Sequence, residues 1–327
     1  MDNNNYNDLK QRLVNAGCFE RATSHYVLRI TAILIAYVGA YFVLLTQPLG
    51  LVAVGALIIA AFASVQAGFI SHDAGDGGIT SNKMLSTGMR QFFLSFVTGV
   101  SSSYFHALHK VHHKTMFKGS SKSSDTVSEN EYEGKWLKKL VSRDGLLFMV
   151  TMVTLRGFTF KFESVKYMLK HANKTAADQL LVGLHVVAWL IVPMMIIGPV
   201  AILNYALLTL LIGPYIGTVL VINHAGMVTA NRQMHLPKFE RVVNTTRNLG
   251  DGVWNNLFFG GVNNHIEHHL FPGVPVPNLG EARKITEAFC EERGIKYTKA
   301  SYFSALIEAK DHFKGLSSQR LVAEALN

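Results

Sequence analysis

Residues 51–76 read LVAVGALIIAAFASVQAGFISHDAGD, and this stretch decides the fold. Its part 51–70 carries no charge, and a helix needs about 20 apolar residues to cross the hydrocarbon core of a membrane. His72 and Asp76 follow at once. Residues four apart stack on one face of a helix. The stretch therefore predicts a membrane-spanning helix that ends in two side chains able to bind a metal ion.

Three other stretches repeat the apolar pattern, at 27–46, 180–197 and 201–222. Arg29 lies near the start of the first, and His185 is the one histidine or charged residue in the other two. Four buried helices of a soluble protein are the alternative, which their length and their lack of polar faces disfavour. We expect an all-α integral membrane protein whose four transmembrane helices form two hairpins.

The distribution of basic residues predicts the orientation. The two hairpin turns, 47–50 and 198–200, contain neither Lys nor Arg, and short cytoplasmic loops are the ones enriched in both. Both termini and the segments 71–179 and 223–327 are therefore expected in the cytosol, as a helical cap within a single domain, 1–327. Two shorter apolar stretches, 84–100 and 145–155, fit helices lying in the membrane interface or ordinary core helices of the cap.

Composition supports a membrane protein. The chain has 327 residues, of which 49% are hydrophobic and only 16% charged, whereas soluble domains carry about 25% charged residues. Its net charge of +9 fits attraction to anionic lipids, and the basic residues form no recognition module for nucleic acid. Cys18 and Cys290 form neither a disulfide framework nor a metal-binding C-x-x-C motif.

Histidines are grouped in three clusters. The first cluster is His72 with Asp76, and the second is His109-x-x-His112-His113. The third, His265-x-x-His268-His269, has the same spacing as the second. Residues at i, i+3 and i+4 share one helical face, and imidazole nitrogen binds Zn, Cu, Fe and Ni well. The candidate ligands outnumber those of one tetrahedral zinc site. The clusters therefore predict two metal ions.

These clusters resemble the three histidine boxes of membrane fatty-acid desaturases. The run Asn264-His265-Ile266-Glu267-His268-His269-Leu270-Phe271-Pro272 is similar to the third box of acyl-lipid and front-end desaturases. Further matches are Asn223-His224 after the last span, Thr246-Arg247-Asn248, and Phe258-Phe259-Gly260-Gly261. One position departs from the family, since its first box has a second histidine where this chain has Asp76.

The resemblance implies a cytosolic centre of two iron ions. Its metal ligands would be His72, His109, His112, His113, His224, His265, His268 and His269, with Asp76 as a ninth. Residues expected to orient or support these ligands are Asp73, Asn223 and Glu267. The isolated histidines, expected in structural or surface roles, are His25, His171, His235 and His312. The roles of His106 and His185 stay open.

The resemblance also implies an O2-dependent reaction that introduces a double bond into a fatty-acyl chain carried by a lipid, by coenzyme A or by acyl carrier protein. Hydroxylation, acetylenic-bond formation or another oxidation on the same scaffold stays open. So do a non-catalytic metal or lipid sensor and a zinc-dependent hydrolase. The 26 residues before 27–46 do not hold a cytochrome b5 domain, and no dinucleotide-binding G-x-G-x-x-G occurs. We expect a separate donor of the ferredoxin or cytochrome b5 type, with its reductase.

Overall fold

The computed structural model describes residues 4–118, 145–228 and 236–325; His235 lies outside them. Regular elements among these residues are helices, and one isolated bridge pairs Asn248 with Lys299. The helices are α1 Asn4–Asn15, α2 Thr23–Thr46, α3 Gly50–Gly75, α4 Lys83–Gln91, α5 Ser102–Lys118, α6 Gly145–Lys170, α7 Ala176–Ile197, α8 Val200–Ile222, α9 Lys238–Thr245, α10 Val253–Phe259, α11 His265–Leu270, α12 Leu279–Glu292 and α13 Tyr302–Ala325. The all-helical prediction is confirmed for the described part of the chain.

Four of these helices, α2, α3, α7 and α8, are long and apolar enough to cross a membrane. They contain the four predicted stretches, and each begins between one and four residues before the predicted start. The second continues to Gly75 rather than ending at 70. Because of this extension, His72 lies on the last turn of α3, and the amide of Asp76 caps the helix by donating to the His72 carbonyl.

The chain divides into two compact units. Arg21–His109 and Thr154–Gly217 form one, here called the span unit; Met1–Glu20, Lys110–Val153 and Thr218–Asn327 form the other, the terminal unit. The expectation of a single domain stays a prediction.

In the span unit, small side chains let α2 and α3 approach closely. One face of α3 buries alanines at helical spacing, namely Ala53, Ala56, Ala60, Ala63 and Ala67. Aligned small residues are typical of helix contacts within membranes, where close packing replaces the hydrophobic effect as the driving force.

A π-helical turn, Phe92–Thr98, follows α4, and side chains of other helices cap its end. Three successive carbonyls there accept hydrogen bonds: Phe96 from His185 Nδ1 (2.8 Å), Val97 from the Tyr37 hydroxyl, and Thr98 from Lys161. Carbonyls at a helix C-terminus lack partners within the helix and attract basic groups. His185, whose role the sequence leaves open, is therefore a helix-capping residue.

A buried carboxylate, Asp178, fixes the start of α5. Its Oδ2 accepts from the Ser103 amide (2.8 Å) and from the Ser101 hydroxyl (2.7 Å), while Ser95 donates to Oδ1. A negative charge at a helix N-terminus satisfies amides and complements the helix dipole. The helix that carries His109 is thereby held at its first turn.

The two shorter apolar stretches, expected as interfacial helices or as core helices of the cap, form helices of different length. Residues 84–100 form α4 and the π-helical turn, with Met84 exposed by 82%. The second stretch continues past Arg156 to Lys170. The Arg156 guanidinium stacks over the Phe160 ring at 4.1 Å, so the charge that follows the apolar stretch is accommodated within the helix.

The terminal unit has its own apolar core. Leu9 and Leu13 of α1, Phe239 of α9, Ile266 of α11 and Phe289 of α12 are all buried in it. Its two cysteines, Cys18 and Cys290, are buried and free. The core therefore holds α11, the helix with the third histidine cluster, against three other helices.

We predict that Gly157→Ala destabilises the span unit. A Cβ at this position of α6 would overlap the Thr209 carbonyl oxygen of α8, and overpacking costs about 1–3 kcal/mol. The matched control is Gly183→Ala, where a Cβ meets no atom within 4 Å. Thermal unfolding of the detergent-purified protein should show a lower midpoint temperature for Gly157→Ala than for wild type, and an unchanged midpoint temperature for Gly183→Ala. Equal midpoints for both variants would contradict the close contact between helices.

Candidate metal centre

In the span unit, the end of α3 meets His109 of α5. The Asp76 Oδ2 lies 3.1 Å from His109 Nε2 and 3.6 Å from His72 Nε2. One ligand atom from each of the three residues lies within 4.8 Å of the others. His72 and Asp76 therefore lie on one side of the chain, as their spacing predicts. The Asp76 oxygen points at the imidazoles of His72 and His109.

Asp73 orients His72. Its Oδ1 lies 3.2 Å from His72 Nδ1, and its Oδ2 lies 3.8 Å from the Arg29 guanidinium and accepts from the Tyr26 hydroxyl at 3.5 Å. A carboxylate on one imidazole nitrogen fixes the tautomer and leaves the other nitrogen for a metal. Asp73 therefore contacts His72 in the way that its expected role, orienting a metal ligand, requires.

His109 is placed to bind as a neutral ligand. Burial lowers the pKa of its imidazole, by more than the neighbouring Asp76 carboxylate raises it. A metal ligand must present an unprotonated nitrogen. The environment of His109 therefore favours the form that binds metal.

In the terminal unit, four imidazoles converge on one point. His112 comes from α5, His224 follows α8, and His265 and His269 come from α11. The Nε2–Nε2 distances are 3.0 Å for His112–His269, 3.0 Å for His224–His265, 3.1 Å for His265–His269 and 3.2 Å for His224–His269. Three of the four predicted ligands here are fully or nearly fully buried.

This arrangement fits a metal ion better than a network of hydrogen bonds. The Nε2 of His269 lies within 3.2 Å of three other Nε2 atoms, but an imidazole N–H can donate to only one of them. Burial, with the neighbouring histidines, holds the pKa of His269 well below its usual range, so this ring stays neutral. Metal–nitrogen bonds of about 2.1 Å place ligands at right angles about 3 Å apart. The four nitrogens have that spacing.

His224 shows how the fold selects a tautomer. Its Nδ1 donates to the Thr245 carbonyl at 3.1 Å, which leaves the Nε2 lone pair directed at the other imidazoles. Burial lowers the pKa of His224 to about 4. The preceding Asn223 donates to the carbonyls of Val219 (3.4 Å) and Val262 (3.5 Å), so it ties the end of α8 to the loop before α11.

The two remaining histidines of these clusters lie beside the four. The rings of His113 and His268 are 5.0 Å apart, and the His113 ring is 4.7 Å from that of His269. Within the terminal unit, His112 and His113 of the second cluster thus face the third cluster. By contrast, the rings of His25, His171 and His312 each pack against an aromatic residue nearby in the sequence.

Glu267 belongs to a buried network beneath α11. Its oxygens accept from Asn248 Nδ2 (2.7 Å) and from the Tyr297 hydroxyl (2.8 Å). Asn248 Oδ1 also accepts from the Ile266 amide at the start of α11 (2.9 Å). Burial raises the pKa of Glu267, while the two donors oppose this rise. Asn248 therefore clamps the ligand-bearing helix; the sequence places it in a motif but does not show this role.

Arg247, the neighbour of Asn248, is fully buried. It donates to the Ala225 carbonyl and forms an ion pair with Glu308 of α13. Gly226 lies against it with a φ of 83°. A buried guanidinium needs such partners to offset desolvation, so the residues after α8 and the helix α13 are held together through this side chain.

Comparison with known proteins agrees with the site. A family model described as fatty acid desaturase matches residues 47–301, which include all the histidine clusters. An acyl-lipid (9-3)-desaturase of Physcomitrium patens is 26% identical over 80% of this chain, and this chain covers 51% of it. An acyl-lipid 8-desaturase of Rebecca salina is 24% identical, with 95% of this chain and 74% of the relative covered.

A delta(6)-fatty-acid desaturase of Caenorhabditis elegans is 23% identical over 91% of this chain and 71% of its own length. The chain thus spans about half of the moss relative and about three quarters of the other two. Because the family model matches most of the chain, the protein belongs to the fatty acid desaturase family.

We predict that His269→Ala lowers the metal content of the purified protein. The change removes the nitrogen that lies within 3.2 Å of three others, and losing a ligand opens the site. Plasma mass spectrometry should find about one bound metal fewer per chain. The control His25→Ala replaces an isolated imidazole and should keep the wild-type content. Equal metal content in both variants would contradict the assignment.

Proposed function

We propose that this protein is an integral-membrane desaturase that binds two iron ions and uses O2 to introduce a double bond into a fatty-acyl chain. The observation that carries the proposal is the convergence of His112, His224, His265 and His269 in a chain of the desaturase family. A second metal would be held by the group at the end of α3, His72 and Asp76 with His109.

The donor set favours iron over zinc. Structural zinc sites are closed tetrahedra of four ligands, usually including cysteine, whereas both cysteines here lie in the apolar core and neither belongs to a group of candidate ligands. Imidazole with carboxylate and open positions is typical of non-haem iron that reacts with O2. The donor chemistry therefore supports an iron oxidase over a structural zinc site.

When bound, the iron ions would supply the O2 activation and C–H oxidation that protein side chains cannot perform. The chain's own residues hold the ligands: Asp73 fixes the tautomer of His72, and the Thr245 carbonyl fixes that of His224. The overall reaction converts CH2–CH2 and O2 to CH=CH and two waters. Two electrons and two protons must come from a donor.

We propose a separate donor of the ferredoxin or cytochrome b5 type, with its reductase. The protein's net charge of +9 would attract an acidic donor. The charge distribution also supports a cytosolic site with both termini in the cytosol, because Lys and Arg are absent from 47–50 and 198–200.

A lipid-linked acyl chain is the substrate class we favour. Two of the relatives are named as acyl-lipid desaturases, and the four apolar helices would keep the protein where such lipids are. Hydroxylation on the same scaffold differs only in the fate of the oxidised carbon, so the products must be identified directly.

The proposal predicts a new unsaturated acyl species when the gene is expressed in a yeast host. Gas chromatography with mass spectrometry of total lipids should show it for wild type and for His25→Ala, and should show none for His268→Ala. Separation of phospholipids from acyl-coenzyme A then identifies the carrier. A hydroxylated product, or identical lipid profiles for wild type and His268→Ala, would contradict desaturation.

Asp76 is proposed to bind metal through its Oδ2, the atom 3.1 Å from His109 Nε2. Asp76→Ala should then lower metal content and product together, whereas Asp76→His supplies the family's usual ligand and should keep the metal. The measurement is metal content alongside the product ratio for each variant. Full metal content in Asp76→Ala would show that the carboxylate is not a ligand.

A further inference from the structure

Two short helical faces of the terminal unit expose large apolar side chains. We call this the aromatic surface, and its residues with their exposed fractions are Val253 (79%) and Trp254 (81%) of α10, and Phe303 (74%) and Ile307 (55%) of α13. The two helices meet where the rings of Phe259 and Tyr302 pack 5.9 Å apart. Large exposed apolar surfaces mark sites of interaction with proteins, ligands or membranes.

The aromatic surface carries no charge. Helix α10 reads VWNNLFF, and residues 302–307 read YFSALI. The first charged residue after them is Glu308, which is engaged by the buried Arg247. A soluble electron donor is recognised through complementary charge, so this surface is poorly suited to such a partner. An uncharged face with a tryptophan suits the interfacial layer of a lipid bilayer.

The anchoring of α13 places this surface near the end of a membrane-spanning helix. Through Arg247, Glu308 is tied to the Ala225 carbonyl, and Ala225 follows Ile222, the last residue of α8, by three positions. Three residues of chain reach at most about 10 Å. The aromatic surface therefore belongs to a helix held close to the point where the chain leaves the fourth apolar helix.

We propose that α10 and the first turns of α13 lie in the interfacial layer of the bilayer, with the aromatic surface among phospholipid headgroups and upper acyl chains. Interfacial helices bury their apolar face by about 5–10 Å. This inference rests on the proposed membrane insertion of the four apolar helices. It concerns a surface whose apolar character is not needed to bind the metals.

The placement would set the depth of the third histidine cluster. Helix α10 is followed by Gly260 and Gly261, both with positive φ, and then directly by the loop that leads into α11. The Leu249 amide donates to the Asn263 carbonyl in that loop (2.9 Å). A helix immersed in the interface and joined by a short, hydrogen-bonded loop to α11 holds His265 near the lipid surface, where the acyl chain of a phospholipid is within reach.

Fluorescence of Trp254 tests the inference. The chain has three tryptophans, so the full-length variant with Trp136→Phe and Trp189→Phe reports on Trp254 alone. In nanodiscs with one copy of the protein, phospholipids brominated near the headgroup should quench it by about twofold or more. Bromines deep in the acyl chain should quench less, and aqueous acrylamide should have little effect.

Two control variants, built with Trp254→Phe added, separate the possible failures. Ile35→Trp lies on α2 at a site exposed by 69%, and deep bromines should quench it; if they do not, the proposed membrane insertion itself fails. Lys284→Trp replaces an exposed side chain of α12, and acrylamide alone should quench it. If Ile35→Trp is quenched while Trp254 behaves like Lys284→Trp, only the interfacial placement is overturned. Protection from both quenchers would indicate a protein partner and would also overturn it.

Discussion

The close approach of four imidazole nitrogens in the terminal unit is the constraint on which the rest of the structure depends. Neutral rings at 3.0–3.2 Å cannot satisfy one another with single N–H groups, and desolvation opposes their protonation. Such an arrangement is stable when a cation accepts the lone pairs. The fold must bring α5, the end of α8 and α11 to one place and hold them there.

Buried carboxylates help to hold these helices and rings in place. Asp178 accepts from the Ser103 amide in the first turn of α5, and Asp73 accepts from Nδ1 of His72. Glu267 accepts from Asn248, which in turn accepts from the Ile266 amide at the start of α11. Each carboxylate is buried, and buried charges are costly unless hydrogen bonds compensate them. A buried, hydrogen-bonded carboxylate therefore lies at each of three helices that carry histidines. It fixes the position of the helix or of the imidazole ring and does not itself bind the metal.

Local patterns were sufficient to predict the four long apolar helices and the clustered histidines. The length of an apolar run predicts a helix long enough to cross a membrane, and the i, i+3, i+4 spacing places His112 with its neighbours on one face. The capping role of His185 could not be predicted, because it depends on a π-helical turn distant in sequence that exposes the Phe96 carbonyl. The continuation of α6 past Arg156 was missed because stacking on Phe160 offsets the charge.

The departure at Asp76 distinguishes this chain from the pattern of its family, yet its oxygen points at the two histidines as a ligand would. The central claim is a centre of two iron ions bound by nitrogen and oxygen. Iron K-edge X-ray absorption of the purified wild-type protein, together with its metal count, tests this most directly. We expect two irons per chain in a shell of imidazole nitrogen and carboxylate oxygen without sulfur. A single zinc ion per chain in place of iron would contradict it.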